Sequence, residues 1–248
     1  TQMLQILEKN YDSPVDTEFT ITILNPQSPQ PEVEISLLQC RPQSQLKVNE
    51  ARLPKNIADE DIIFSTSRMA PEGRIEEIQY VVYVPPEGYF SMPTSSARGE
   101  LGRIISLLNA ALNDEIFICI GPGRWGTSTP DLGVKIGYGD IYNTRALVEL
   151  TGNFIGPAPE PSFGTHFFQD LVESNIYPLA IDLDDPDVVF NREFFYHTPN
   201  QLNAFLRDTG MESSLHVIQV ASFRPGYHLE LVMDDRAGRS VAFLEADK

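Results

Sequence analysis

The chain has 248 residues, 42% hydrophobic and 21% charged, which supplies enough apolar material for a buried core and excludes a disordered composition. Its 18 Lys and Arg against 35 Asp and Glu leave a formal charge of −17, a field that repels nucleic-acid backbones and anionic lipid, so neither is expected as a partner. Cys40 and Cys119 sit in apolar runs without zinc or disulfide spacing, and no run reaches the roughly 18 apolar residues of a membrane span, so a reducing cytoplasm is the expected compartment.

Met3, Leu4, Ile6 and Leu7 fall at helical spacing, so the chain opens inside a helix, as a fragment of a larger protein would. Asp12, Ser13 and Pro14 stop it. Two strands follow over 15–24 and 33–40, the first alternating Phe19, Ile21 and Ile23 with Glu18, Thr20 and Thr22. The polar, Pro-rich stretch 25–32 between them suits a hairpin loop. Residues 46–61 are polar and irregular and read as a linker between segments 1–45 and 62–248.

From Ile62 the pattern is mixed. Strands are expected over 62–65 and 75–84, then a helix over 97–112, capped by Ser95 or Ser96 and carrying the stripe Leu101, Ile104, Ile105, Leu108 and Leu112. The apolar run 116–120 reads as a central buried strand that ends in GPGRWGTSTPDLG, residues 121–133. A strand over 146–150, a Pro/Gly loop over 154–164, a helix over 165–174 and a strand over 177–183 follow. Helices are expected over 191–196 and 199–209, then antiparallel strands over 215–222, 227–233 and 240–244, the last turn being 234–238. The expected architecture is α+β with a mixed, mostly antiparallel sheet.

In the hairpin, Asp16 and Glu18 lie two apart and share a strand face, as do Gln39 and Arg41. If the strands pair, two carboxylates meet a Gln/Arg pair, a set able to hold a divalent cation and a phosphate together. In so acidic a chain, phosphate needs such a local arrangement. A solvated Glu18–Arg41 ion pair is the other reading of the same spacing.

These two runs, PVDTEFTITIL and EISLLQCRPQS, resemble the segment that closes the ATP-binding half of pyruvate phosphate dikinases and phosphoenolpyruvate synthases. There an acidic strand of the form D-x-E-[FW] precedes a strand ending L-Q-x-R-P. The matching residues here are Asp16, Glu18 and Phe19, then Leu38, Gln39, Arg41 and Pro42. The resemblance implies that 1–45 is the closing hairpin of an ATP-grasp-like domain. It further implies that Glu18, with support from Asp16, holds Mg²⁺, and that Gln39 and Arg41 bind ATP. The match covers about the first fifth of the chain. The upstream Gly-rich loop and Lys/Arg set of that domain are absent, as are the phosphohistidine domain and a pyruvate barrel, so this chain alone is not expected to turn over ATP.

In GPGRWG, Gly121, Gly123 and Gly126 allow tight turning and close approach, and Arg124 supplies charge, which suits a phosphate or carboxylate. Alternatively, Trp125 plugs the core and Arg124 pairs with Asp131 or Asp140. The motif is not a P-loop, since no GK[ST] follows. It resembles a stretch found beyond the ATP-binding region in bacterial and archaeal proteins of the phosphoenolpyruvate/pyruvate-binding group, which also carry a segment like SFGTHFFQDL. That segment places His166 at a helix start, where a phosphoryl-accepting or acid–base imidazole would fit, or where a His buried among Phe163, Phe167 and Phe168 would sit. Asp140, Arg145 and Glu149 lie between the motifs and could complete a site or form surface ion pairs. The acidic run 182–187 has Asp187 where a calcium loop needs Gly and reads as a solvated turn; His197, His216 and His228 lack ligand spacing.

Two functions follow as expectations. In one, the chain is part of an ATP-dependent phosphotransferase of the kinase type, completing a Mg·ATP site with the upstream part of the nucleotide-binding domain and serving a small anionic substrate such as pyruvate or phosphoenolpyruvate. In the other, it is a non-catalytic scaffold or interaction module with a vestigial nucleotide-binding hairpin.

Overall fold

The computed structural model describes residues 2–12, 14–29, 31–42, 51–68, 72–153, 161–163 and 165–247. Two compact units divide the chain, Thr1–Gln45 and Leu46–Lys248. Residues 46–50 of the expected linker, and 154–160 and 164 of the Pro/Gly loop, lie outside the described residues. Among those described, no helix is long and apolar enough to cross a membrane.

The first unit holds α1 (Gln2–Tyr11), β1 (Val15–Leu24) and β2 (Glu32–Pro42). The strands form an antiparallel ribbon of two with a bulge between Glu18 and Phe19. Before the bulge Asp16 opposes Arg41 and Glu18 opposes Gln39; beyond it Phe19 opposes Leu37, Ile21 opposes Ile35 and Ile23 opposes Val33. Leu38 is the extra residue. Without it, Gln39 and Arg41 would share a face with Leu37, Ile35 and Val33, because side chains alternate with a period of two. The bulge turns β2 over and gives the ribbon one polar and one apolar face.

The second unit contains β3 (Ile62–Thr66), β4 (Gly73–Ile78), β5 (Tyr80–Tyr83), α2 (Pro86–Phe90), α3 (Ser95–Ala111), β6 (Phe117–Pro122), β7 (Ala146–Thr151), α4 (His166–Glu173), β8 (Tyr177–Asp182), α5 (Arg192–His197), α6 (Leu202–Phe205), β9 (His216–Gln219), α7 (Val220–Phe223), β10 (Tyr227–Asp234) and β11 (Arg239–Ala246). A five-stranded sheet runs β8-β7-β6-β5-β9, parallel except for β9, and a four-stranded antiparallel sheet runs β3-β11-β10-β4. The chain is thus α+β, with mixed and mostly antiparallel pairing.

Alternation along the central strands sorts the core into layers. Val81, Tyr83, Ile118, Ile120 and Val148 face the antiparallel sheet and meet Leu229, Leu231, Ala242 and Leu244. Val82, Val84, Phe117, Cys119 and Leu147 point the other way, onto Leu101, Ile105 and Leu108 of α3 and Leu171 of α4. Each strand buries both its faces, which explains the nearly continuous apolar runs of β5 to β8. The outer face of the antiparallel sheet is covered by Ala51, Leu53 and Ile57, so residues 51–57 of the expected linker belong to this unit.

Three expected elements change. The strand expected over 75–84 is two strands in different sheets. Ile75 and Ile78 lie three apart, and a bulge with Glu77 at φ +56° restores them both to the core. The helix expected over 199–209 is a single turn, because Asn200 ties the chain to β9: its Oδ1 accepts from Leu202 N and Val217 N, both at 2.9 Å. The strand expected over 215–222 ends at Gln219, where α7 begins. In α3 the cap is Thr94, whose Oγ1 accepts from Ala97 N at 3.1 Å, in place of Ser95 or Ser96.

Candidate functional site

The register of the first unit puts Asp16, Glu18, Gln39 and Arg41 on one face. The carboxylates are exposed, while Gln39 and Arg41 are half-buried. With its amide oxygen turned to Arg41, Gln39 accepts from Nη2 at 2.7 Å and from Nε, which fixes one edge of the guanidinium. Among the described residues no group of three or more His, Cys, Asp and Glu could hold a metal ion. Two carboxylates instead fit Mg²⁺ as it is held with a nucleotide, where one or two protein carboxylates share it with phosphate oxygens and water.

In the second unit the GPGRWG loop leaves the C-terminal end of the central parallel strand β6. Packing accounts for its glycines. A Cβ on Gly121 would lie 2.6 Å from the Trp125 ring, one on Gly123 would lie 2.3 Å from the Leu132 carbonyl oxygen, and one on Gly126 would lie 2.3 Å from the Phe167 ring. Gly123 and Gly126 also have φ of +68° and +72°, which a side chain disfavours. Trp125 is buried in the helical layer. Arg124 pairs with neither of its expected partners: Asp131 bonds Arg98, and Asp140 accepts from Gly137 N at 2.7 Å. The positive charge of Arg124 favours the ionised form of Glu149.

Glu149 joins the two motifs. Its Oε1 accepts from Trp125 N at 2.8 Å and from Ser162 Oγ, and its Oε2 accepts from Ser162 N at 2.6 Å. Burial pushes its carboxyl up to about 6, opposed by the Ser162 and Trp125 hydrogen bonds and by Arg124. The carboxylate therefore pins GPGRWG to the segment before α4. Thr165 caps that helix, accepting from Phe168 N at 3.2 Å, and His166 follows as its exposed first residue. Ser162 and Phe167 are the bridging residues that a search for acids and bases passes over.

The remaining expectations resolve locally. Asp182 accepts from Arg68 at 2.6 Å and Asp184 from Asn153 N at 2.6 Å, so the acidic run bonds to its own surroundings. Cys119 is buried, and burial pushes its thiol up to about 12. Arg145 is exposed. His228, which lacked ligand spacing, meets Glu230 and Asp247; the signal was Glu230 two residues on, along the same strand face. Comparison with protein-family models, curated proteins and solved structures finds no match to this chain.

Proposed function

We propose that the polar face of the β1–β2 hairpin is one wall of a Mg·ATP site in an ATP-dependent phosphotransferase, completed by a nucleotide-binding segment outside this chain. The observation that carries the reading is the register, which sets Asp16 against Arg41 and Glu18 against Gln39 on one face. Arg41, steadied by Gln39, would take phosphate oxygens, where a guanidinium donates bidentately. Glu18 and Asp16 would hold the cation against the same phosphates, and the cation, when bound, neutralises their charge. The substrate would be a small anion such as pyruvate or phosphoenolpyruvate, and the compartment the cytoplasm, on the strength of two free thiols.

For the second unit alone, the packing of Gly121, Gly123 and Gly126 favours a scaffold role over an anion site. His166 is the one residue of its motifs that we retain as a phosphoryl-accepting or acid–base group, being exposed at a helix start.

The test is equilibrium binding of Mg·ATP to the full product of this reading frame. Arg41→Ala should weaken binding by about ten- to a hundredfold, the loss of a hydrogen bond to a charged group. Glu18→Gln should abolish the dependence of binding on Mg²⁺. Affinities within about twofold of wild type for both variants would reject the reading and leave the scaffold alternative.

A further inference from the structure

The second unit carries a groove of about 870 Å³ beside the edge of the antiparallel sheet, between β4 and the ends of β10 and β11. Carboxylates dominate it. Glu76 and Glu77 come from β4, Glu230 from β10, Glu245 from β11 and Asp247 from just beyond it, and Glu115 faces them from ahead of β6. Arg74 and His228 are the cationic side chains in its lining.

Their bonds are specific. Glu230, a buried carboxylate, accepts from Arg74 Nε at 2.9 Å and from Glu77 N at 3.3 Å, the amide exposed by the bulge. His228 Nε2 lies 3.1 Å from Glu230 Oε1, and its Nδ1 lies 2.8 Å from Asp247 Oδ1. Ionised carboxylates accept and do not donate, so the doubly protonated ring, the imidazolium, is the form that satisfies both contacts. Its cross-strand partner in the register is Glu245.

We propose that His228 is a proton-operated clasp, holding Asp247 at the acidic groove while the ring carries two protons and releasing it when one is lost. A neutral imidazole donates once. Glu230 is fixed by Arg74 and by the Glu77 amide and keeps the remaining N–H, whereas the Asp247 side chain is 56% exposed and is free to swing into water. Opening therefore occurs on the Asp247 side. Burial of the ring lowers its proton affinity, but the bonds to Asp247 and Glu230 and the charges of both outweigh this and raise the pKa above 6.5. The stabilisation is thus complete below pH 6.5 and is lost as pH rises through the higher folded value.

Nuclear magnetic resonance of the imidazole nitrogens tests the clasp, with the denatured chain as reference. His228 should titrate higher in the folded protein than in the denatured chain. Protection of the Asp247 amide, which donates to Gly226 O at 2.9 Å, should fall roughly tenfold or more between about pH 6 and pH 9 after correction for intrinsic exchange, as one charge-assisted bond is lost. Asp247→Asn, a surface change that leaves the fold intact, should lower the His228 midpoint and flatten that pH dependence. A His228 midpoint at or below that of the denatured chain, a midpoint unmoved by Asp247→Asn, or protection constant with pH in the wild type would each overturn the proposal.

Discussion

In the second unit, alternate residues of the central sheet are buried on both sides, so Val81 and Val82 each find a core. In the first unit the apolar face of the ribbon stays open, with Phe19 at 49%, Ile21 at 55% and Ile35 at 53% exposure. A two-stranded ribbon has no layer of its own to cover that face, and such a ribbon is marginal in water. The polar groups differ in the same sense. Glu149 is enclosed and its bonding is used up in holding loops, while Asp16 and Glu18 reach solvent on a face that carries Arg41. The more conspicuous motif, GPGRWG, is therefore the one that packing explains. The plainer hairpin is the one that presents its polar groups at the surface.

The sharpest break in this contrast comes from the glycines. Gly123→Ala places a Cβ against the Leu132 backbone at a φ of +68°, so neither rotamer change nor a small shift relieves it. Overpacking and left-handed strain together should cost about 3 kcal/mol or more, read as a lowered denaturant midpoint. Gly139→Ala, with nothing within 4 Å, should stay within about 0.5 kcal/mol. Equal effects at the two sites would remove the packing account of the motif.

Next comes Glu149. Alanine there strips acceptors from Trp125 N, Ser162 N and Ser162 Oγ in a buried place, and the loss should be about 2–3 kcal/mol. The pH dependence runs in a definite direction. A folded value of about 6 against an ordinary 4.5 means that the native state binds the proton more tightly than the unfolded chain. Stability relative to Glu149→Gln should thus be highest below about pH 4.5 and fall by roughly 2 kcal/mol as pH rises through about 6, then level off. Paired thermal melts of the two proteins across that range would expose the opposite slope if it exists.

Much of this architecture is legible in the residues. The alternation in β1 states a strand and its apolar face, and the Leu101 to Leu112 stripe of α3 and the apolar run of β6 each state an element and its buried face. Long-range pairing is less visible. Nothing local says that Ile75 and Val81 enter different sheets, although two consecutive Glu between Ile75 and Ile78 mark the bulge. Nor does spacing reveal that Ser162 bonds Glu149, since that contact closes only once β7 and α4 are in place. The convergence of Asp16, Glu18, Gln39 and Arg41 was readable because each pair lies within one strand. The extra residue Leu38, which separates that polar set from the apolar face, was readable only with the register known.

The smallest expected effect sets Arg124 against Arg41, the two cations that the sequence offers for phosphate. Among the described residues the Arg124 side chain makes no hydrogen bond or ion pair, and its charge acts on Glu149, whose ionised form it favours. Arg124→Ala should leave stability near neutral pH within about 0.5 kcal/mol and push the Glu149 midpoint further upward, because a cation that favours its carboxylate has gone. Calorimetry with inorganic phosphate decides the rest. Heats unchanged by Arg124→Ala would keep the loop structural and leave Arg41 as the phosphate ligand. Binding of phosphate by the second unit that vanishes in Arg124→Ala would reverse the contrast and return an anion site to GPGRWG.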